Sequence, residues 1–266
     1  MSAMRELLFE LGTEEIPARL INRARTELGE RLTSALDAAG LEHEDLVTYA
    51  TPRRLVLSCK VAAKQADRTE ELLGPPARVA FDDAGQPTKA AIGFAKRNNV
   101  AVDALERRET PKGEYLGCTV HTTGQAATEL LGEMLETAVT KLHWPKAMRW
   151  GARSDSFIRP VHWIVALFGG EVLPVSVFGI TSGRLTRGHR FLAPEPFEVT
   201  DLNSWMTGLR SRHVEPDPAV RREQIAAAAR ELASSVGGEA IIDDGLLEEV
   251  TGLVEWAVPL IGTFDE

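Results

Sequence analysis

Apolar residues change their spacing several times in the first 62 positions. Leu7–Leu11 (LLFEL) is a short apolar run that predicts a buried strand. Gly12-Thr13-Glu14-Glu15 reads as a turn, and Pro17 suits the first position of a helix. Leu20, Ile21, Ala24, Leu28, Leu32, Ala35, Leu36 and Ala39 then recur at helical spacing, and Gly40 stops the helix. Asp45–Ala50 and Leu55–Ala62 read as two strands joined by Thr51-Pro52-Arg53-Arg54. The opening is therefore β-α-β-β.

Residues 66–87 are polar and carry turn signals at Gly74-Pro75-Pro76 and Asp82-Asp83-Ala84-Gly85. A short helix is expected over Thr88–Asn98, and a strand over Glu114–Thr122. The strongest helical stripe runs over 126–142, through Leu130/Leu131, Met134/Leu135 and Ala138/Val139, and ends at Trp144-Pro145. Val161–Phe168 and Val172–Phe178 are apolar runs separated by Gly169-Gly170-Glu171, a hairpin signature. Further on, Asp201–Ser211 reads as a helix, and Asp217-Pro218 caps another that runs to Val236 before Gly237-Gly238. Ala240–Ile242 is a candidate strand and Leu246–Val250 a candidate short helix. Strands and helices mix without strict alternation, which predicts an α+β fold with mixed or antiparallel sheets and packed helices. The expected organisation is an N-terminal β-α-β-β unit (1–65), a middle segment or insertion (66–122) and an α+β portion (123–266) able to pack with the first.

Composition adds a location and a charge asymmetry. The 266 residues are 44% hydrophobic and 26% charged, as in ordinary globular proteins. No apolar run approaches membrane-spanning length, and the start, MSAMRELLFELGTEE, lacks a signal-peptide profile. Cys59 and Cys118 sit in strand-like contexts and suggest no disulfide framework. The cytoplasm is the expected compartment. The net charge of −9 argues against a polyanion partner when taken alone. However, Lys146–Arg190 holds seven Lys/Arg against Asp155 and Glu171, a net +5, so the remainder carries −14.

Known chemical spacings are missing. His162, His189 and Asp155 fall in no HExxH, CxxC or HxH pattern, so no metal site is expected. There is no G-x-S-x-G, no phosphate-binding G-x-x-x-x-G-K and no G-x-G-x-x-G, so no catalytic residue is assigned. Glu14-Glu15 precede a helix and suit its dipole, and Asp243-Asp244 suit a cap or turn. What remains is the basic stretch. Arg149, Arg153, Arg159, Arg184, Arg187, Arg190 and His189 are interleaved with Trp150, Trp163 and Phe191. Guanidinium groups bind phosphate and rings stack on unpaired bases, so this pattern fits RNA; it also fits a solvated rim paired with acids. His162 and His189 either orient RNA or close local hydrogen bonds. Strict alternation would put His162 on the sheet face opposite Val161 and Trp163.

Six segments carry a family resemblance: LLFELGTEEIPAR (7–19), TPRRLVL (51–57), TKAAIGFAKRN (88–98), FIRPVHWIVALFGG (157–170), SGRLTRGHRF (182–191) and LLEEVTGLVEWAVPLIGTF (246–264). In this order they resemble the N-terminal part of the β subunit of the bacterial heterotetrameric glycyl-tRNA synthetase. Ala257 stands where the family usually reads proline after Glu-Trp. The Arg-Pro strand region also resembles the B3/B4 module of the phenylalanyl-tRNA synthetase β subunit, which implies α+β architecture. The family β subunit continues into an HD-type domain and an anticodon-binding domain. The resemblance implies an α2β2 enzyme of protein biosynthesis that joins glycine to tRNA(Gly). In it the α subunit holds the class II site with ATP and Mg, this chain has no cofactor, and the β subunit binds and positions tRNA. An editing-type hydrolase module, or an assembly scaffold without RNA contact, are the alternatives.

Overall fold

The computed structural model describes residues 3–82 and 85–263. The chain divides into two compact units, residues 1–65 with 126–266, and residues 66–125. Unit 1 begins with β1 (Met4–Thr13), α1 (Ala18–Ala39), β2 (His43–Thr51) and β3 (Arg54–Ala62). Unit 2 contains β4 (Arg68–Pro76), α2 (Ala77–Ala80), α3 (Lys89–Arg97), β5 (Glu106–Thr110) and β6 (Gly113–Thr122). Unit 1 resumes with α4 (Ala127–Thr140), the two-residue strands β7 (Met148–Arg149) and β8 (Ser156–Phe157), then β9 (Val161–Phe168) and β10 (Glu171–Val172). Small strands β11 (Ser176–Val177), β12 (Ile180–Thr181), β13 (Leu185–Arg187) and β14 (Pro196–Glu198) follow. Helices α5 (Leu202–Arg210), α6 (Pro218–Ser235) and α7 (Asp244–Thr251) complete the α+β fold.

The main sheet of unit 1 is antiparallel, in the order β10-β9-β1-β3-β2. Both of its faces are covered, so its central strands read as apolar runs rather than alternating ones. On one face Leu7, Phe9, Leu11, Leu55, Leu57, Ile164 and Ala166 meet the stripe Ile21, Leu28, Leu32, Leu36 of α1 and Leu131, Leu135 of α4. On the other, Leu8, Val56, Val165 and Leu167 meet Trp205 and Leu209 of α5. Glu10 and Arg54 lie on this second, smaller face, among apolar neighbours.

Four local expectations change. Val172–Phe178 is not one strand: β10 ends at Val172, because Pro174 has no N–H for a ladder. The Gly169-Gly170 turn itself forms, with both residues at positive φ (61° and 83°) as a two-residue hairpin turn of this kind requires. Ala240–Ile242 is irregular and Ile241 fully exposed, since no strand edge pairs with it. The polar stretch before Gly74 forms β4, whose ladder partner is β6 rather than a core. Finally, Thr13 pairs with Val161 while Gly12 pairs with Trp163, so His162 is an extra residue in β9. This β-bulge breaks the alternation. Val161 and Trp163 consequently serve opposite apolar clusters.

Candidate functional site

Five distant stretches meet at one end of the main sheet, around Arg54. Gly12 faces Arg54 on one side and Trp163 on the other. A Cβ at Gly12 would lie 2.0 Å from the Trp163 ring, so only glycine lets the indole lie across β1. The Arg54 and Arg53 guanidinium carbons stand 5.3 and 5.6 Å from the centre of that ring, within cation–π range. The β2–β3 turn is latched to the segment after β1, where Thr13 N–H donates to the Arg53 carbonyl at 2.8 Å and Ile16 N–H to that of Pro52 at 2.7 Å.

Arg54 is fully buried. It donates to Glu10 at 3.0 Å, to the Arg187 and Gly188 carbonyls at 2.5 and 3.2 Å, and to Glu255. Glu10 also accepts from Thr186 Oγ1 at 2.9 Å and from Trp205 Nε1 at 3.0 Å. Burial raises the Glu10 carboxyl above the ordinary glutamate range, against the pull of Arg54 and its hydroxyl and indole donors. Burial pushes Glu255 the same way, but Arg54 and Thr51 outweigh it and hold that carboxyl low. Thr51 Oγ1 donates to Glu255 at 2.6 Å, which anchors the segment after α7.

A second buried arginine extends the network. Arg221 of α6 donates to the carbonyls of Thr251, Glu215 and Ala50 at 3.0, 2.5 and 3.0 Å. Desolvation lowers its pKa to about 10, and nearby acids oppose the shift. Glu215, also buried, is gripped by Arg210 through two bonds of 2.9 and 3.0 Å. Arg53, Arg54 and Arg221 thus share the interior with Glu10, Glu215 and Glu255, a balance that buried charges require.

Above this network lies a polar rim, which gathers three of the sequence-derived candidates. The bulge aims His162 outward, with Nε2 at 3.0 Å from Glu14. Arg190 pairs with Glu14 at 3.1 Å and Glu15 at 3.0 Å. Arg159 Nε donates to the Glu15 carbonyl at 2.7 Å. Glu14-Glu15 therefore act as ion-pair partners rather than as dipole acids; α1 has no acid in its first turn. His189 closes its own loop, its Nδ1 accepting from the Phe191 and Leu192 N–H groups at 3.3 and 3.2 Å. Burial lowers the His189 pKa, and Glu255 opposes the shift.

The remaining arginines are dispersed. Arg149 and Arg153 belong to the β7–β8 hairpin, where Arg153 pairs with Asp155 at 2.9 Å. Arg184 and Arg187 are in or beside β13, and Arg187 is exposed. Side chains of Arg149, Arg184 and Arg187 make no hydrogen bond or ion pair among the described residues. Of the interleaved rings, Trp163 is core, Trp150 is half-buried with its N–H on the Phe157 carbonyl at 3.2 Å, and Phe191 is 80% exposed. Cys59 is buried, and burial pushes its thiol up to about 12, far from a nucleophile's range. No three His, Cys, Asp or Glu side chains among the described residues are grouped to hold a metal ion, and no helix among them is long and apolar enough to cross a membrane.

A family model described as glycyl-tRNA synthetase beta subunit matches residues 7–266. Curated glycine–tRNA ligase beta subunits are similar along nearly the whole chain. That of Syntrophus aciditrophicus is 43% identical over 261 residues, covering 98% of this chain and 38% of the relative. That of Myxococcus xanthus is 44% identical over 263 residues, covering 98% and 37%. That of Moorella thermoacetica is 42% identical over 262 residues, covering 98% and 38%. The chain spans well under half the length of these relatives.

Proposed function

The chain belongs to the glycyl-tRNA synthetase beta-subunit family, and from that premise we propose that it is the N-terminal part of a β subunit that supports the joining of glycine to tRNA(Gly). Its role is to contact tRNA and to help assemble with a catalytic α subunit in an α2β2 enzyme of the cytoplasm. ATP and Mg act at the α subunit, and this chain uses no cofactor. The observation that carries RNA contact is the division among the arginines. Arg153 and Arg190 have carboxylate partners, whereas Arg149, Arg184 and Arg187 have none among the described residues, in a chain of net charge −9. Unopposed guanidinium groups are available to phosphate without first breaking an ion pair. Arg159, Arg190 and His162 hold the rim in shape, and His189 closes its own loop. The Arg54 network fixes the strand ends that carry these residues.

Glycylation by the full-length β subunit with its α partner tests this reading. Arg184→Ala with Arg187→Ala is expected to raise KM for tRNA and leave KM for glycine unchanged. Unchanged tRNA kinetics would leave the chain an assembly scaffold. Deacylation of alanyl-tRNA(Gly) above background by the chain would instead favour an editing role.

A further inference from the structure

One of the six resemblance-carrying segments, Thr88–Asn98, lies in unit 2. It forms α3, capped by Thr88 Oγ1, which accepts from the Ala90 N–H at 3.3 Å. Ala91 and Ala95 face the small core of unit 2. Lys89, Gly93 and Arg97 recur every four residues on an open face, and none of the three is used for packing.

Two hollows flank the end of β4 and share Leu73 and Gly74. The first, about 640 Å³, is lined by Lys89, Gly93, Phe94 and Arg97. The second, about 330 Å³, is lined by Lys112 and Tyr115. No acid lines either hollow, although unit 2 as a whole has nine Asp/Glu against eight Lys/Arg. Elsewhere in the unit Arg107 pairs with Glu114, and Arg108 with Glu71. Lys89, Arg97 and Lys112 have no such partner among the described residues. The two adjoining hollows thus bring together three unpaired cations and two aromatic rings without an acid.

Gly93 sharpens the picture. A glycine in mid-helix weakens the helix relative to alanine. Here a Cβ would meet nothing within 4 Å, so packing within the unit does not require glycine. Its absent side chain leaves room for close approach by something outside the chain. Lys89 and Arg97 are eight residues apart, about 12 Å along the helix, a span suited to an extended chain of phosphates.

We infer that the groove between α3 and β4 is a binding site for single-stranded RNA. Lys89, Arg97 and Lys112 take phosphates, Phe94 and Tyr115 offer stacking surface, and the RNA backbone passes over Gly93. The choice of RNA over another polyanion rests on the tRNA-contact reading above, but the groove itself does not involve Arg149, Arg184 or Arg187.

The test is fluorescence anisotropy of a labelled oligouridylate titrated with the 266-residue chain at several salt concentrations. Lys89→Ala, Arg97→Ala and Lys112→Ala together are expected to flatten the log–log salt dependence by about 2, three contacts at ~0.7 each for single strands. Gly93→Leu keeps every charge; it is expected to weaken binding at all salt concentrations with the slope unchanged. Circular dichroism of both variants should match the parent. No binding by the parent chain, an unchanged slope in the triple variant, or unaltered affinity in Gly93→Leu would each overturn the assignment. A groove that binds the oligonucleotide in an enzyme whose glycylation ignores Arg184 and Arg187 would sink only the earlier reading.

Discussion

Replacing Arg54 by methionine removes a side chain that hydrogen-bonds β1, β13 and the segment after α7 together. The buried volume is nearly kept, but the charge and four donated bonds are lost. Leaving buried carboxylates without their cation costs about 3–5 kcal/mol. The Arg187 and Gly188 carbonyls each lose a buried donor, about 1 kcal/mol or more apiece. The sum, roughly 5–7 kcal/mol, rivals the whole stability of many domains, about 5–15 kcal/mol. Urea unfolding followed by tryptophan fluorescence reads it directly, because Trp163 and Trp205 border the site. The loss should also depend on pH. Without Arg54 the folded-state pKa of Glu10 rises further above its unfolded value of 4.5. The protonated folded form is then favoured at low pH, and stability falls as pH climbs from 4.5 towards the raised value. Arg54→Met should therefore be less damaging at pH 5 than at pH 8. A loss below about 1 kcal/mol, the scale of an exposed ion pair, would refute the view that this network holds the sheet end together.

Three further outcomes follow from the same geometry. Gly12→Ala forces a Cβ into the Trp163 ring and is expected to cost at least 1–3 kcal/mol in urea unfolding, roughly the range for overpacking; a neutral result would mean that the indole has room to move. His189 has a folded pKa below 6.5, so the unfolded chain takes up the proton first and stability is lost as pH falls below that value. His189→Asn, which keeps an acceptor and cannot titrate, should flatten the decline of melting temperature between pH 7.5 and 5.5; an undiminished decline would assign it to other groups. Arg190→Ala breaks only a part-exposed pair with Glu14 and Glu15, and its unfolding free energy should drop by no more than about 1 kcal/mol.

Periodic segments were legible because spacing alone specifies them. The α1 and α4 stripes, the β2–β3 pair and the Gly169-Gly170 turn all formed where the pattern put them. The Arg54 network was not, because Glu10, Arg54 and Glu255 are far apart in sequence and meet only through strand pairing. A signal was nevertheless present: Glu10 interrupts LLFEL and Arg54 abuts LVL, and a charge inside a doubly covered strand demands a buried partner. The bulge at His162 left no such trace, since it arises from register against β1. Grouping arginines by sequence left their partners unread. Arg190 and Arg153 hold carboxylates, Arg149 lies on the β7–β8 hairpin without one, and the hollow beside α3 depends on how the expected 88–98 helix meets β4, which spacing alone does not specify.

The most direct test of the proposed role is the salt dependence of tRNA(Gly) binding by the full-length protein assembled with the proposed α subunit. Arg149→Ala, Arg184→Ala and Arg187→Ala combined should lower the log–log slope by about 2 to 3, three contacts at ~0.7 to 0.9 each. Arg153→Ala with Arg190→Ala, whose guanidinium groups already hold carboxylates, should change it by less than about 1. Equal slopes for the parent enzyme and the triple variant would contradict RNA contact through these unpaired arginines.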